Sequence, residues 1–344
     1  RSVISVVLQK RLVSAILRSL VPTRIFHGGT LLSPASFVIS IPFTTSVMVA
    51  AHTSLCAWPI SYYGTEEQKK KYLTELASGR KLGAFGLTEP NAGSDAGGTE
   101  TTAVDKGDHW LLNGSKIFIT NAGYAEIFVI FAATDKSKGT RGGITAFIVE
   151  KSDAGFTVGT HEKKMGIKGS STCQLFFEDC KIPKDRLLGT IGEGFKVAMK
   201  TLDGGRVSIG AQALGIAQGA INECIKYVKE RVQFGKRISQ FQNTQFELAD
   251  MQTKVNAARF LLYKAARCKD EDDPELGFYS AQGKLFASEV ASDVPRRCLQ
   301  LVGGMGYAWE FPFERFMRDA KITEIYEGTS EVQRMVIASN LGVK

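Results

Sequence analysis

The spacing of hydrophobic positions changes twice along the chain. Over residues 46–79 it is helical, and Thr65 with Gln68 three residues later predicts the start of a helix that ends near Gly79. Beyond residue 81 the pattern changes to short runs of β-branched and aromatic residues at 81–88, 110–112, 116–120, 127–132, 144–149 and 174–177. Because no long helical segment separates these runs, they predict an antiparallel sandwich or barrel, with a tight turn at Asn113-Gly114.

From about residue 192 onward the helical spacing returns. Four long amphipathic segments, at 207–233, 244–268, 278–302 and 321–340, predict a helix bundle. The sequence therefore predicts an α+β multidomain protein in three parts. These are an N-terminal helical domain at 1–80, a middle antiparallel β-sandwich or barrel domain at 81–190 and a C-terminal four-helix bundle at 191–344.

The first 46 residues are atypical for this arrangement. They are rich in Arg and Ser and lack acidic residues, which is the composition of a transit peptide, although a truncated or misassigned segment is an equal alternative. The apolar stretch 37–63 contains Pro42, His52 and Pro59 and lacks a clean apolar run of about 20 residues. It therefore predicts a buried helix, and no membrane insertion is expected.

Composition and charge narrow the class of protein. The chain has 344 residues, 44% of them hydrophobic and 23% charged, which excludes a disordered protein. Its six cysteines are scattered without a CxxC pair, so neither a disulfide scaffold nor a zinc cluster is expected. Residues 1–65 contribute +5 to the net charge of +8, and no dense basic run is interleaved with aromatic residues. Binding to nucleic acid is therefore not expected, whereas a small molecule that carries phosphate remains possible.

Several short motifs carry small and polar residues at the ends of these elements. Residues 88–98 could let backbone amides approach a ligand, although taken alone they fit a turn-rich hairpin better. Residues 117–121 fit ordinary strand packing, and 231–236 fit either a helix cap or a phosphate contact. Glycines at 303–304 and 328 mark helix boundaries, where Glu331 could complete a cap. No single motif of this group identifies a function.

Glu327 is the candidate catalytic carboxylate. It lies between Tyr326 and Gly328, just before a predicted helix. Burial among apolar neighbours would raise the pKa of this carboxyl into the range of a base that removes a carbon-bound proton. Taken alone, a cap or a solvated turn is the favoured alternative. The four histidines show no metal-ligand spacing and no GxSxG motif occurs, so neither a metal site nor a serine nucleophile is expected.

The order of the motifs is more specific than any one of them. Along the chain follow Thr-Glu-Pro-Asn-Ala-Gly-Ser-Asp at 88–95, Ile-Thr-Asn at 119–121, Asp-Gly-Gly-Arg at 203–206, Arg-Val-Gln-Phe-Gly at 231–235, Gly-Gly-Met-Gly-Tyr at 303–307 and Tyr-Glu-Gly-Thr-Ser-Glu at 326–331. This series resembles the acyl-CoA dehydrogenases. Segments such as Ala-His-Thr-Ser-Leu-Cys at 51–56 are most similar to the short-chain, butyryl-CoA-type members. The resemblance covers about residues 47–344 and implies the same α–β–α fold.

The resemblance also implies FAD as the cofactor and assigns residues to it. The flavin would be lined on one side by Phe85, Leu87, Thr88 and Ser94, and on the other by Phe118, Ile119 and Thr120. The pyrophosphate and adenosine of FAD from a neighbouring subunit would be held by Arg231, Phe234, Gln242, Gln300, Leu301, Val302, Gly303 and Gly304. The residues that return to the flavin would be Thr329, Ser330 and Glu331.

The implied reaction is the FAD-dependent α,β-dehydrogenation of a short-chain acyl-CoA to a trans-2-enoyl-CoA. The substrate would contact Ser94, Asp203, Gly204, Gly205, Arg206 and Gly328. Family members carry the base either where this chain has Gly205 or in the turn that holds Glu327, so the resemblance implies Glu327 as the sole α-proton base. Glycine at 204 and 205 would leave space for the thioester to lie against the flavin.

The implied partners are the acyl-CoA substrate, an electron-transfer flavoprotein and further copies of the chain in a homotetramer built as a dimer of dimers. A bacterial cytoplasm is the expected location, with a mitochondrial matrix as the alternative. The alternatives for function are a dehydrogenase of branched short-chain acyl-CoA, an acyl-CoA oxidase that reoxidises its flavin with O₂, and a non-catalytic or nucleic-acid-binding flavoprotein relative. Flavin bleaching by butyryl-CoA would separate the enzymes from the non-catalytic relative.

Overall fold

A computed structural model describes residues 43–343, and the predictions for residues 1–42 lie outside this part. The chain begins with α1 (Phe43–Ala50), continues through a π-helical stretch (Ala51–Ala57) and ends this helical run in α2 (Trp58–Tyr63). Leu55 and Ile60 are buried on one side of the run, as predicted for a buried helix. No helix within 43–343 has the length and apolar character needed to cross a membrane.

A second helical run supports the predicted capping signal. It consists of α3 (Glu66–Gln68), a π-helical stretch (Lys69–Leu73) and α4 (Thr74–Ala77). The Gln68 N–H donates to Thr65 Oγ1 at 3.2 Å, and the Thr65 N–H donates to Gln68 Oε1 at 3.1 Å. Gly79 follows with φ +73°, a conformation that glycine adopts without strain. The predicted start and end of this helical run are confirmed.

The middle of the chain forms one eight-stranded sheet. Its strands are β1 (Gly83–Gly86), β2 (Thr102–Asp105), β3 (His109–Thr120), β4 (Ile127–Ala133), β5 (Ile144–Glu150), β6 (Phe156–His161), β7 (Thr172–Pro183) and β8 (Leu187–Leu188). The order is β6-β7-β3-β2-β4-β5-β8, with β1 also on β4. Most pairs are antiparallel, whereas β1 runs parallel to β4, and β2 meets β4 in a single parallel pair. The strands β2 and β6 were not predicted because they mix polar and apolar residues, and β8 was not predicted because it is only two residues long.

The predicted tight turn at Asn113-Gly114 is wrong. Strand β3 passes straight through these residues and pairs with β7, with a register shift between Leu112 and Gly114. Gly114 has φ +140°, and a β-carbon there would lie 2.7 Å from Thr101 Cα. Because a β-bulge can require a glycine just as a tight turn does, the dipeptide alone could not distinguish them.

Strands β4 and β5 are buried on both faces. Phe128, Ile130 and Phe147 face a core enclosed by the sheet, whereas Val129 and Phe131 face a second core that the helical run of residues 43–77 and the start of the bundle complete. A strand that is buried on both faces reads as a continuous hydrophobic run, which explains why these two strands were predicted most closely. The sheet therefore packs its outer face against the helices that carry the candidate site.

The bundle is built from three long helices, α5 (Gly194–Glu230), α6 (Gln242–Asp270) and α7 (Leu276–Val302). A two-stranded ribbon, β9 (Val232–Gln233) with β10 (Lys236–Arg237), connects α5 to α6. The chain ends in α8 (Gly304–Tyr307), α9 (Phe313–Lys321) and α10 (Ser330–Asn340). Short 3-10 turns lie at Lys136–Lys138, Lys184–Arg186, Ile238–Gln240 and Ile322–Glu324.

The fourth predicted helix, 321–340, is not continuous. The chain leaves the helix after Ile322–Glu324, turns at Glu327 (φ +52°) and Gly328 (φ +89°), and resumes a helix only at Ser330. The apolar spacing continues across the break, but Thr329 caps α10 by accepting a hydrogen bond from the Val332 N–H at 3.3 Å. The break sets Glu327 on a turn that faces α5 and α7.

Candidate active site

The turn that carries Glu327 is held by two side chains that bind its backbone. Gln333 Nε2 donates to the carbonyl oxygens of Glu327 at 3.2 Å and Gly328 at 2.9 Å. Lys284, a fully buried residue of α7, donates from Nζ to the Gly328 oxygen at 2.5 Å. A non-glycine residue at positive φ is strained, so these bonds fix a conformation that Glu327 would not adopt by itself.

One oxygen of the Glu327 carboxyl group is enclosed and unpaired, although the residue as a whole is half-buried. Its Oε2 atom is buried and has no hydrogen-bond partner within residues 43–343. The group lies over Gly205 of α5, where a β-carbon would overlap with Oε2 and lie 3.0 Å from Leu55 Cδ2. A buried carboxyl oxygen without a donor is costly, so such an atom points to a chemical role.

Burial raises the pKa of Glu327 to about 7, and three cations oppose this shift: Lys284, Arg206 and Lys269. The direction agrees with the expectation from its apolar sequence neighbours. A carboxyl that is partly ionised near neutral pH can both accept and hold a proton, which is the requirement for a general base. No cation within residues 43–343 forms a salt bridge with it, so the charge near the group is long-range.

The glycine pair on α5 does not leave open space in this structure. A β-carbon at Gly205 would meet the Glu327 carboxyl, and one at Gly204 would lie 2.8 Å from Lys269 Nζ. The expected space for a thioester is therefore occupied by two side chains that reach across from other elements. Sequence spacing could not show this because both residues lie far along the chain from the glycines.

Asp203 and Arg206 form one pair on the same helix. Arg206 Nη1 lies 2.6 Å from Asp203 Oδ1, and Arg206 is buried while Asp203 is half-buried. Burial raises the pKa of the Asp203 carboxyl, although Arg206 opposes the shift. Arg206 Nε has no partner within 43–343, so this guanidinium retains a free donor. Of the predicted substrate residues, Gly205, Arg206 and Gly328 thus lie near Glu327, whereas Gly204 faces Lys269 and Asp203 pairs with Arg206.

The residues predicted to line the flavin lie along β1, β3 and the loop after β1. Thr88 is half-buried and Ser94 is exposed. Phe118 is 61% exposed at the bulge of β3, where its φ is +59°. Leu87 and Ile119 are buried in the two cores, and Phe85 packs on Phe131 with 5.0 Å between ring centroids. Ile119 and Leu87 can therefore offer a cofactor only their backbone atoms.

The residues predicted for a neighbouring subunit's FAD lie at one end of the bundle, apart from Glu327. Arg231, Gln242, Gln300, Gly303 and Gly304 are exposed, Leu301 is half-buried and Val302 is buried in the core. Phe234 is 96% exposed at the tip of the ribbon. Gln300 and Leu301 line an open groove of about 540 Å³ together with Asn243. Exposed aromatic and polar groups in this number are typical of a surface that another molecule covers.

Comparison with known proteins decides the family. The family model of the acyl-CoA dehydrogenase N-terminal domain matches residues 39–80. The models of the middle domain and the C-terminal domain match residues 84–180 and 192–342. The chain belongs to the acyl-CoA dehydrogenase family. The family resemblance expected from the motifs is confirmed, and with it the helical, sheet and helical order.

Individual members of the family are highly similar to this acyl-CoA dehydrogenase. A short-chain specific acyl-CoA dehydrogenase of Clostridium acetobutylicum is 53% identical over 321 residues, 92% of this chain and 84% of that protein. The structure of butyryl-CoA dehydrogenase from Megasphaera elsdenii has a TM-score of 0.87 at 52% identity and covers 90% of this chain and 80% of its own. A chain from work on the electron transferring flavoprotein of Acidaminococcus fermentans has a TM-score of 0.87 at 54% identity, covering 89% and 81%.

The cofactor of this acyl-CoA dehydrogenase is FAD, as the family and its solved structures indicate. One of these, described as an FAD-dependent dehydrogenase, is 34% identical, has a TM-score of 0.86 and covers 90% of this chain and 84% of its own. The residues present fit such a group. Ser330 Oγ at the start of α10, and Ser170 and Ser171 Oγ beside the end of β3, are buried without partners within 43–343. These hydroxyls can serve the polar groups of a bound dinucleotide.

The sequence analysis missed the residues that set the state of Glu327. The sequence predicts Lys284 only as part of an amphipathic helix and assigns no role near Glu327 to Gln333 or Lys269. One signal was present in the sequence, since Lys284 falls on the apolar side of α7, whose neighbours Ala281, Ala287 and Ser288 are all buried. A lysine on an apolar helix face is rarely fully buried unless it has a partner.

Proposed function

We propose that this enzyme is a short-chain acyl-CoA dehydrogenase that converts butyryl-CoA-like thioesters to trans-2-enoyl-CoA, with Glu327 as the α-proton base. The observation that carries the proposal is the unpaired, buried Oε2 of Glu327, whose pKa is raised to about 7 by burial. A carboxyl in this state is suited to proton abstraction, whereas a cap or a solvated turn would need its carboxyl to be bonded or exposed.

The backbone of the same residue offers a second group. Within residues 43–343 the N–H of Glu327 donates to no acceptor, so it is free to bind the thioester carbonyl oxygen. Donation to that oxygen stabilises the charge that develops as the α-proton leaves, as in other oxyanion holes. Because Lys284 and Gln333 fix the backbone of the turn, the N–H donor and the Cα atom that carries the side chain keep their relative positions while the carboxylate moves.

The proposed reaction removes one proton and one hydride from the thioester. Glu327 takes the α-proton from the thioester, and the β-hydrogen leaves as a hydride, which FAD accepts when it is bound. Lys284, Arg206 and Lys269 are the cations that favour the ionised Glu327 before the step. To reach the base, the thioester must replace the contact between the carboxyl and Gly205, so Glu327 swings away from α5 as the substrate enters.

The proposed chain length is supported by the relatives, since a short-chain specific dehydrogenase and a butyryl-CoA dehydrogenase are both more than half identical to this chain. An acyl-CoA series of increasing length and branching, read by flavin bleaching under anaerobic conditions, tests this assignment. Fastest bleaching by a straight four-carbon chain is expected. Faster bleaching by a branched chain would support the alternative of a branched short-chain dehydrogenase.

The proposed electron acceptor is an electron-transfer flavoprotein, supported by the similarity to a chain solved in work on such a protein. We further propose a homotetramer, supported by the exposed residues at the end of the bundle, such as Phe234 and Gln300. Sedimentation of the FAD-loaded enzyme should give a tetramer, and a fully loaded monomer would contradict it. The bacterial relatives support a cytoplasmic location for this protein.

Replacement of the base tests the central assignment. Glu327→Gln keeps the size of the side chain but removes the base, and loss of a general base costs about 10²–10⁴-fold in rate. The variant should bind FAD and butyryl-CoA while its flavin remains oxidised. Glu324→Gln, three residues earlier and paired with Lys321 on the surface, serves as the matched control and should reduce at the wild-type rate. Reduction of Glu327→Gln at the wild-type rate would require a different base.

A further inference from the structure

A second buried carboxylate lies beneath the loop that follows β1. Glu89 Oε1 is 2.5 Å from Lys116 Nζ, and the two residues' side chains are 1% and 0% exposed. No other ion pair within 43–343 has both partners so fully excluded from solvent. Glu89 belongs to the Thr-Glu-Pro motif and Lys116 to β3, so the pair joins segments 27 residues apart.

The pair fixes the backbone of three segments at once. Glu89 Oε2 accepts from the Glu100 N–H at 2.6 Å, and its carboxylate also accepts from the Thr101 N–H at 3.1 Å. Lys116 Nζ donates to the Leu87 carbonyl oxygen at 3.2 Å. The next residue of β3, Ile117, donates its N–H to the carbonyl oxygen of Thr88 at 2.9 Å. Together these bonds connect the backbone around Thr88, the two residues that precede β2 and the strand that leads to Phe118.

Lys116 also marks the place where β3 departs from regular pairing. It faces Leu175 of β7 in register, and the register then shifts before Ile119 pairs with Cys173. The shift is where Phe118 takes its φ of +59° and turns outward. The ion pair therefore lies between the two surfaces that are proposed to contact the flavin, the Thr88 loop and the Phe118 bulge.

Stability alone does not account for such a pair. Two buried charges lose their hydration, and their replacement by well-packed apolar residues is often neutral or stabilising. A charged pair with five directed bonds does, however, specify geometry in a way that apolar packing does not. Burial lowers the pKa of Lys116 to about 8, and Glu89 opposes the shift, so the pair remains charged at neutral pH.

We propose that Lys116 and Glu89 are positioning residues for the flavin of FAD, which act by holding the Thr88 loop and the Phe118 bulge at a fixed separation. The proposal rests on the assignment of Thr88 and Phe118 to the flavin in the proposed function. Neither charged group touches the cofactor in this account. Their effect is on how tightly and in which orientation the flavin is bound.

The test separates geometry from stability. The variants are Lys116→Met, Glu89→Gln and the double variant Lys116→Met/Glu89→Gln, in the full chain. Three quantities are measured for each: the melting temperature of the apoprotein, the dissociation constant of FAD, and the visible circular dichroism of the bound flavin. Arg186→Met, which removes another largely buried ion pair of the sheet domain, with Asp153 at 2.6 Å, serves as the control. Thr88→Val reports independently on whether the loop contacts the flavin.

The single variants leave one buried charge unpaired and should lower the melting temperature, whereas the double variant should recover most of it. FAD affinity should nevertheless fall about tenfold or more in the double variant, because the Thr88 loop and the Phe118 bulge are no longer held at a fixed separation, and the flavin dichroism should change. Arg186→Met should leave both flavin properties unchanged. A double variant with wild-type FAD affinity and dichroism overturns the proposal. If Thr88→Val is also without effect, the assignment of the loop to the flavin fails as well.

Discussion

Glu89, which is buried, and Glu327, whose Oε2 atom is buried, each lie near a fully buried lysine, yet their carboxyl groups differ in state. Lys116 bonds Glu89 directly at 2.5 Å. The carboxylate of Glu89 accepts three further hydrogen bonds, one from the Glu100 N–H and two from the Thr101 N–H. Lys284 instead donates to the carbonyl oxygen of Gly328, which leaves Oε2 of Glu327 unpaired. Both lysines have a pKa lowered by burial to about 8, so the difference does not come from the lysines' own charge.

The difference shows what a buried cation does to a nearby carboxyl. Burial acts to raise the pKa of Glu89, but Lys116 and the backbone donors outweigh it, so the pKa stays below its ordinary value. At Glu327 burial prevails and the pKa rises to about 7. A lysine that bonds the carboxyl makes it a permanent anion, whereas one that bonds the adjacent backbone holds the group in place and leaves it able to accept a proton.

The largest expected effect is a contrast between the same substitution at the two sites. Glu327→Gln should slow flavin reduction by about 10²–10⁴-fold with FAD affinity retained, because only the base is lost. Glu89→Gln should weaken FAD binding while the loaded enzyme still reduces its flavin. Stopped-flow reduction and FAD titration of both variants check the contrast. Loss of reduction in FAD-loaded Glu89→Gln would break it.

Gly204 and Gly205 of α5 allow the position of the Glu327 carboxyl, rather than its charge, to be tested. Gly205→Ala should displace the Glu327 carboxyl, and misplacement of a reacting group by about 1 Å can cost about 10²-fold in rate. Gly204→Ala is the matched control, since its β-carbon meets the flexible end of Lys269 and should have a smaller effect. Rates of flavin reduction with saturating butyryl-CoA measure both. Equal losses in the two variants would show that the position of Glu327 is not the cause.

The smallest expected effect is on the pH dependence. Flavin reduction requires ionised Glu327, so the rate should fall below a pH of about 7. Lys284 favours the ionised form, and Lys284→Met should therefore raise the pKa of Glu327 and move the acid limb to higher pH. On that limb a rate that depends on one ionisation changes about tenfold per pH unit. Lys284→Arg, which keeps a cation, should restore much of the profile, and an unshifted limb in Lys284→Met would contradict the role given to this lysine.

The sequence allowed the prediction of elements whose pattern is local. The helices α6 and α7 and strands β4 and β5 follow from apolar spacing, and the capping box at Thr65 was predicted from two residues. Helix α5, in contrast, begins at Gly194, 13 residues before its predicted start at 207. The break before α10 could not be predicted in this way, because Ile325 and Val332 continue the helical spacing while Gln333 and Lys284 hold the turn. Regular helices and strands are thus predictable from a local pattern, whereas the break before α10 depends on tertiary contacts.

In the candidate site, too, the sequence predicts single residues but not the tertiary contacts between them. Glu327 was selected from its motif and its apolar neighbours, and its raised pKa agrees with that selection. The pairing of Glu89 with Lys116 requires the parallel contact of β1 with β4 and the bulge of β3, which bring residues of distant loops together. The contact of Gly205 with Glu327, across 122 positions, likewise arises only from the packing of α5 against the turn.

The most direct measurement is a pH titration of the holoenzyme by difference infrared spectroscopy, which follows the C=O band of a protonated carboxyl. The wild type should show a C=O band of protonated Glu327 that disappears as the pH rises through about 7. This band should be missing from Glu327→Gln and should persist in Glu324→Gln. A band of wild-type size in Glu327→Gln, or no carboxyl that titrates near neutrality in the wild type, would contradict the claim that Glu327 is held unpaired and ready to accept a proton.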